Sequence, residues 1–277
     1  MLVATTGEEC PANRELASND IPRGYTKGSL SASGAVAAFV TGWATCAAGG
    51  LLPALHLVAF FISSSALTRY GAKRKAVLEA EYATSSSRSA VQVLANSLTA
   101  SLALIAAALL DRHHHLALLA SLAHYAACAA DTWSSELGIL ATARPRLITA
   151  PWRLAPPGTN GGVTLVGTVA GLAGGAFIGL AHALMLALLG SEPLGTALTT
   201  WVLLGAASGL LGTTIDSLLG ATLQYSGWDP ERKVVIESPS AELVHITGAD
   251  ILDNHQVNFA ASFFTVAIVV GSAWTLA

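Results

Sequence analysis

The chain has 277 residues, 53% of them hydrophobic and 11% charged, with a mean hydropathy of +0.57. Soluble domains carry roughly 25% charged residues, so this chain has too few to coat a water-facing surface, and a bilayer suits its composition better. A net charge of −3 leaves no basic footprint for nucleic acid, and the three scattered cysteines Cys10, Cys46 and Cys128 form no Cys-x-x-Cys zinc pair.

Residues 1–29 are polar and contain Pro11 and Pro22. They lack the basic patch and apolar run of a signal peptide and read as a flexible lead-in. Apolar stretches follow at about 32–49, 51–67, 90–110, 116–133, 163–189, 197–223 and 257–276. Most approach the ~20 residues that cross the hydrocarbon core, and none alternates like a barrel strand. The expected fold is all-α: a polytopic integral membrane protein with about seven transmembrane helices in one bundle, its single transmembrane domain covering residues 30–277.

Seven spans place the N-terminus and the connections 68–89, 134–162 and 224–256 on one side. Of the 14 Lys and Arg residues, all but Arg112 fall there. Positive loops stay cytoplasmic, so that side is expected to face the cytosol or a stromal equivalent. His113, His114 and His115 lie on the opposite side and read as a solvated loop. Gly167, Gly171, Gly175 and Gly179 form one stripe on the fifth span, and Gly205 and Gly209 add to it on the sixth. Small residues of this kind let helices approach closely in lipid.

Carboxylates at membrane depth are functional candidates. Asp131 and Glu136 end the fourth span in Ala130-Asp-Thr-Trp-Ser-Ser-Glu-Leu-Gly138, and Asp216 lies in the last third of the sixth. Asp131 and Glu136 stand about 140° apart on an unbroken helix, so sharing one ligand requires unwinding after Asp131. Carboxylates from different helices suit Mg²⁺, which takes one or two of them together with water and phosphate oxygens. Helix-to-helix hydrogen bonding, or pairing with Lys or Arg, is the alternative.

Gly158-Thr159-Asn160-Gly161-Gly162, followed by Thr164, leads into the fifth span. A Gly-rich turn before a helix start can present free N–H groups to an anion, or it can simply begin the helix. Asp253, Asn254 and Asn258 open the seventh span, with Asn258 inside the apolar stretch, as ligand contacts or as a cap and interhelical bond. Gln224 closes the sixth span, while Gln92 and Asn96 enter the third on the same side. Arg69 and Lys73 belong to a basic loop that either attracts anionic lipid or clamps phosphate.

Together these motifs resemble the transmembrane protein 19 family. The matching stretches include Gly28-Ser-Leu…Ser33-Gly-Ala, Ser63-Ser-Ser-Ala-Leu-Thr68, Glu81-Tyr82, Val91-Gln92-Val93, Pro145-Arg-Leu-Ile-Thr149, Gly158 to Thr164, Asp216 to Gln224 and Ile251 to Asn258. Members of that family begin with one or two further apolar spans where this chain has its polar lead-in. The family includes the phytyl-phosphate kinase of plants and cyanobacteria. The resemblance therefore implies a membrane kinase that converts an isoprenoid (phytyl or polyprenyl) monophosphate to the diphosphate with a nucleoside triphosphate. On that expectation Asp131, Glu136 and Asp216 are catalytic and hold Mg²⁺. Gly158, Thr159, Asn160, Gly161, Gly162, Thr164, Gln224, Asp253, Asn254 and Asn258 then contact substrate or phosphate, and Arg69 or Lys73 neutralises charge. The competing expectations are a transporter or channel, or a non-catalytic membrane protein. Against a carrier, the opposite halves of the spans read as almost purely Ala, Leu and Val.

Overall fold

The computed structural model describes residues 29–78 and 87–276. Nearly all of the polar lead-in, Gly28 and the Glu81-Tyr82 pair lie outside the described residues. Helices run in the order α1 (Ala32–Gly49), α2 (Leu51–Arg69), α3 (Ala72–Leu78), α4 (Ala90–Ala95), α5 (Leu98–Leu110), α6 (His114–Gly138), α7 (Leu165–Leu188), α8 (Leu194–Leu223) and α9 (Asn254–Leu276).

Five of these, α1, α2, α7, α8 and α9, are long and apolar enough to cross a membrane. The other two expected spans fall outside this set for two physical reasons. The 90–110 stretch is broken: Asn96 Nδ2 donates to Gln92 O (2.9 Å) and Ser97 Oγ to Val93 O (2.7 Å), which ends α4 before α5 begins. Helix α6 is long, but it carries His114, His115, His124, Asp131 and Glu136. It tolerates them because it is the central helix, buried along Ala120–Ala130 and facing protein rather than lipid. Its Tyr125, Ala126 and Ala129 pack with Phe60, Ala100 and Ile178 in the main apolar cluster.

The all-α expectation is corrected by two small antiparallel sheets. Strands β1 (Arg146–Leu147), β2 (Ala150–Leu154) and β3 (Gly162–Val163) lie between α6 and α7 in the order β2-β1-β3. Strands β4 (Ser226–Asp229), β5 (Val234–Ile236) and β6 (Val244–Thr247) lie between α8 and α9 in the order β5-β4-β6. Connections of about 25–30 residues must satisfy their own backbone groups, and local hairpins do so. Both sheets extend from the helix ends remote from the Asp111–His114 turn.

The glycine stripe has the role expected of it. A Cβ on Gly205 would lie 2.5 Å from Gly175 O and 2.9 Å from Gly179 Cα, and one on Gly209 would lie 2.8 Å from Gly175 Cα. Helices α7 and α8 therefore touch backbone to backbone. Gly212 approaches Ala127 of α6 (2.5 Å for its would-be Cβ), and Gly174 approaches Ala129 O (2.9 Å), so α6 is drawn into the same close-packed trio. Gly205→Ala is expected to lower stability by about 1–3 kcal/mol through overpacking. Gly42→Ala, where a Cβ meets nothing within 4 Å, should be neutral or slightly stabilising. Thermal unfolding in detergent, followed by circular dichroism, compares the two.

Candidate functional site

A cavity of about 900 Å³ opens at the sheet-bearing end of the bundle. Its wall takes residues from α2, α4, α6, α8 and α9, from the 139–164 and 235–238 segments, and from the start of α7. Of the expected site residues, Asp131, Glu136, Asp216, Gly158, Thr159, Asn160, Gly161, Gly162, Thr164, Gln224, Asp253, Asn254, Asn258 and Arg69 all line it. Residues far apart in the chain thus meet in one place, at the end remote from Arg112. Lys73 is the exception: it is exposed on α3 and does not line the cavity.

The three carboxylates separate into two environments. Helix α6 stays unbroken through Gly138, so Asp131 and Glu136 keep different directions. Asp131 and Asp216 neighbour one another across the α6–α8 contact, lining the same part of the cavity. Each lies seven residues, roughly two turns, inside the end of its helix. With its amide oriented to donate, Asn258 reaches Asp216 Oδ2 at 3.2 Å and Asn254 O at 3.1 Å. Asn258 therefore ties α9 to the pair, as its position in an apolar stretch required. Two carboxylates this close share a proton or a cation.

Glu136 is engaged elsewhere. Its Oε2 accepts from Lys75 Nζ at 2.5 Å and its Oε1 from Thr68 Oγ1 at 2.6 Å. Lys75 is wholly buried and also donates to Leu67 O at 2.7 Å. The expected Asp131–Glu136–Asp216 metal triad does not assemble, and among the described residues no group of three or more His, Cys, Asp or Glu is placed to hold a metal. Two members, Asp131 and Asp216, remain available. Within the basic loop, Lys75 turns inward while Lys73 faces out. A seven-residue helix places them on different faces, which the run Lys73-Arg74-Lys75 does not reveal.

The Gly158–Thr164 loop lines the cavity, and several of the N–H groups expected to face a phosphate bond within the protein. The N–H of Thr159 donates to Pro156 O, that of Gly162 to Thr159 O, and that of Asn160 to Ser226 Oγ (3.1 Å). Asn160 Nδ2 holds Tyr225 O at 3.2 Å, and Thr164 Oγ1 caps α7 through Gly167 N at 3.0 Å. Gly161 has φ 70°, and a Cβ there would sit 2.6 Å from Ser217 O; only glycine permits that turn against α8. Most of the loop's donors are spent docking it. Asp253 is likewise a cap. Its Oδ1 accepts from His255 N (2.8 Å) and Gln256 N (2.9 Å), while its own N–H donates to Gln256 Oε1 (2.9 Å), a capping box.

Several polar atoms at the cavity remain unsatisfied. Gln224 is 3% exposed, and its Nε2 has no partner among the described residues; neither does Ser65 Oγ, 5% exposed. Arg69 Nη2 donates to Ser29 Oγ at 2.9 Å. Arg88, absent from the sequence-derived site, also lines the wall. Burial pulls its guanidinium below the usual arginine range, and the nearby Glu136 carboxylate pulls it back.

The opposite half of the bundle is less uniformly apolar than the sequence suggested. His56 Nδ1 pairs with Ser121 Oγ (3.1 Å) and His56 Nε2 with His182 Nδ1 (3.0 Å). His182 stacks on Trp201, whose Nε1 donates to Glu192 Oε2 at 2.8 Å. None of these residues lines the cavity. His56, Ser121 and His182 form a buried interhelical tie, and an isolated His in each of two apolar runs was its signal.

A family profile matches residues 21–266. The chain belongs to the integral membrane protein DUF92 family. Among similar proteins, Protein PGR of Arabidopsis thaliana is 39% identical over 257 residues, 88% of each chain. An uncharacterized membrane protein of Synechocystis sp. is 33% identical over 190 residues, 68% of this chain and 69% of that one. Another, from Methanocaldococcus jannaschii, is 36% identical over 171 residues, 62% of this chain and 65% of that one. No solved structure matches. Membership in DUF92 agrees with the integral membrane reading, and bilayer lipid is the surround its helices require.

Breaking the Lys75–Glu136 pair leaves one buried charge uncompensated. Lys75→Met is expected to cost about 3–5 kcal/mol. Lys73→Met should stay within about 0.5 kcal/mol, and the double substitution Lys75→Met with Glu136→Leu should recover much of the loss. Melting midpoints in detergent decide the order.

Proposed function

We propose that this DUF92 protein is a membrane phosphotransferase that adds a second phosphate to an isoprenoid monophosphate, using a nucleoside triphosphate. The observation that carries the proposal is the cavity itself. It sinks about two helical turns into the bundle, ends on the Asp131–Asp216 pair, and offers orphaned polar atoms of Gln224 and Ser65 to a ligand. A substrate with an apolar tail and a charged head suits a polar site walled by membrane helices. Its tail can stay in lipid while its head enters the cavity. The expectation of the kinase also comes from the family resemblance of the motifs that line the wall.

The donor set left at the pair, two carboxylates with Asn258 bridging to α9, fits Mg²⁺, which retains water and phosphate oxygens in its remaining positions. Asp131 and Asp216 would hold it, and when bound it would neutralise charge on the donor phosphates. The acceptor's phosphate oxygen attacks the terminal phosphorus of the donor. A new P–O bond forms, the bond to the donor's bridging oxygen breaks, and a nucleoside diphosphate leaves. The acceptor oxygen is already anionic, so no side chain need act as base. What the chain supplies is positioning and electrostatics. Gln224 donates to phosphate oxygens from the α8 end, and Arg69 attracts the charged head at the rim. On this reading α6 and the α4–α5 pair complete the crossings, and the cavity faces the cytosol or stroma, where the donor is found.

The test uses the purified chain in detergent with phytyl or geranylgeranyl monophosphate, Mg²⁺, and CTP, ATP, GTP or UTP in turn. Diphosphate product with at least one donor is expected; no product with any donor overturns the proposal. Asp131→Asn and Asp216→Asn should each lower the rate about 100-fold or more with the melting midpoint retained. Chelation of the metal should abolish turnover.

A further inference from the structure

Arg88 is a cation built into the cavity wall, with no ion-pair partner among the described residues. Its backbone is fixed with unusual care. Ser31 N and Ser31 Oγ both donate to Arg88 O (3.1 and 3.2 Å), and Arg88 N donates to Ser29 O at 3.2 Å. Gly34 lies so close to Arg88 O that any Cβ there would collide with it. Ser89, the next residue, closes a capping box with Gln92 at the start of α4. The Ser-Leu…Ser-Gly stretch from Ser29 to Gly34, which the metal and phosphate roles left without a purpose, is thus the clamp that holds Arg88.

From this anchor the guanidinium carbon reaches 5.5 Å from the ring centres of both Phe60 and Phe61. Phe60 is nine residues before the end of α2, and Asp131 and Asp216 are seven from the ends of their helices. The cation and the carboxylate pair therefore stand at similar depth, roughly 10–14 Å inside. Among the described residues no carboxylate pairs with Arg88. The Glu136 carboxylate, which acts on the guanidinium, is itself held by Lys75 and Thr68. Ring faces offset part of the cost of a half-buried cation, and an anionic ligand removes the rest.

We infer that Arg88 binds the phosphate of a ligand in this cavity, its planar fork gripping phosphate oxygens across from the Asp131–Asp216 pair. The inference rests on the phosphotransferase reading for the identity of the ligand, and the shared chemistry is a phosphate group, borne either by the lipid acceptor or by the nucleotide. Titration calorimetry on the full chain in detergent separates the two, with decyl phosphate as the lipid-borne probe and inorganic pyrophosphate as the nucleotide-like one. R88Q is expected to weaken at least one probe about tenfold or more, and the probe affected identifies the source. Unchanged affinity for both, or a wild-type chain that binds neither, overturns the inference, whatever happens to the melting midpoint. If R88Q does not fold, R88K carries the test, since it keeps charge and stem but loses the fork: severalfold weaker binding supports the inference, and unchanged affinity for both probes overturns it. Binding through Arg88 without transfer from any donor would sink the phosphotransferase alone. Transfer by R88Q with unchanged KM for both substrates would sink the Arg88 inference alone.

Discussion

The backbone contact between α7 and α8 at Gly175 and Gly205 is the constraint from which the rest follows. In lipid there is little hydrophobic drive to bring helices together, so association depends on close packing. Glycines allow α7 and α8 to touch, and alanines on α6 allow that helix to join them through Gly174 and Gly212. Once the three axes are this close, Asp131 on α6 and Asp216 on α8 can meet only face to face. The carboxylate pair is thus a product of small residues one to three turns away from it. Larger residues along the seam would separate the carboxylates before they disturbed any polar contact.

Charge inside the bundle is distributed by pairing. Glu136 and Lys75 neutralise one another and, through Thr68 and Leu67 O, bind α3 and α2 to the end of α6. That neutralises one carboxylate of the cavity wall and leaves the Asp131–Asp216 pair and Arg88 as its other charged groups from α6, α8 and the start of α4. An apolar surround makes each of these groups costly in isolation. A ligand carrying both phosphate and a bound cation would meet both demands. The buried His56–His182 pair shows the opposite solution: two polar side chains satisfy each other away from this cavity.

The loops follow the same economy of hydrogen bonds. Thr164, Asp253 and Ser89 each cap a helix, and the Gly158–Gly162 turn spends most of its N–H groups docking onto the 225–226 segment and itself. Their composition marked them as special positions, correctly. It did not distinguish a donor aimed at a ligand from a donor aimed at a neighbouring loop, because both need the same residue types. Gln224 and Gln92 illustrate the difference. Both are amides at helix ends on the same side, yet Gln92 is consumed by its own cap, while Gln224 Nε2 stays free at the cavity wall.

The sequence by itself determined the solvent, the apolar helices and the end of the bundle at which polar residues gather. Those depend on composition, periodicity and the charge of connections, which are local or additive properties. It also placed the glycine seam, since a four-residue spacing lies on one helix face whatever surrounds it. Only the tertiary structure decided which carboxylates face each other, that Lys75 rather than Lys73 turns inward, that α6 is central enough to carry histidines, and that Arg88 reaches the cavity. Each of these is a relation between segments 40 or more residues apart, or a direction fixed by packing against such a segment. A side chain's partner is set by where helices cross, and crossing is settled by the whole bundle at once.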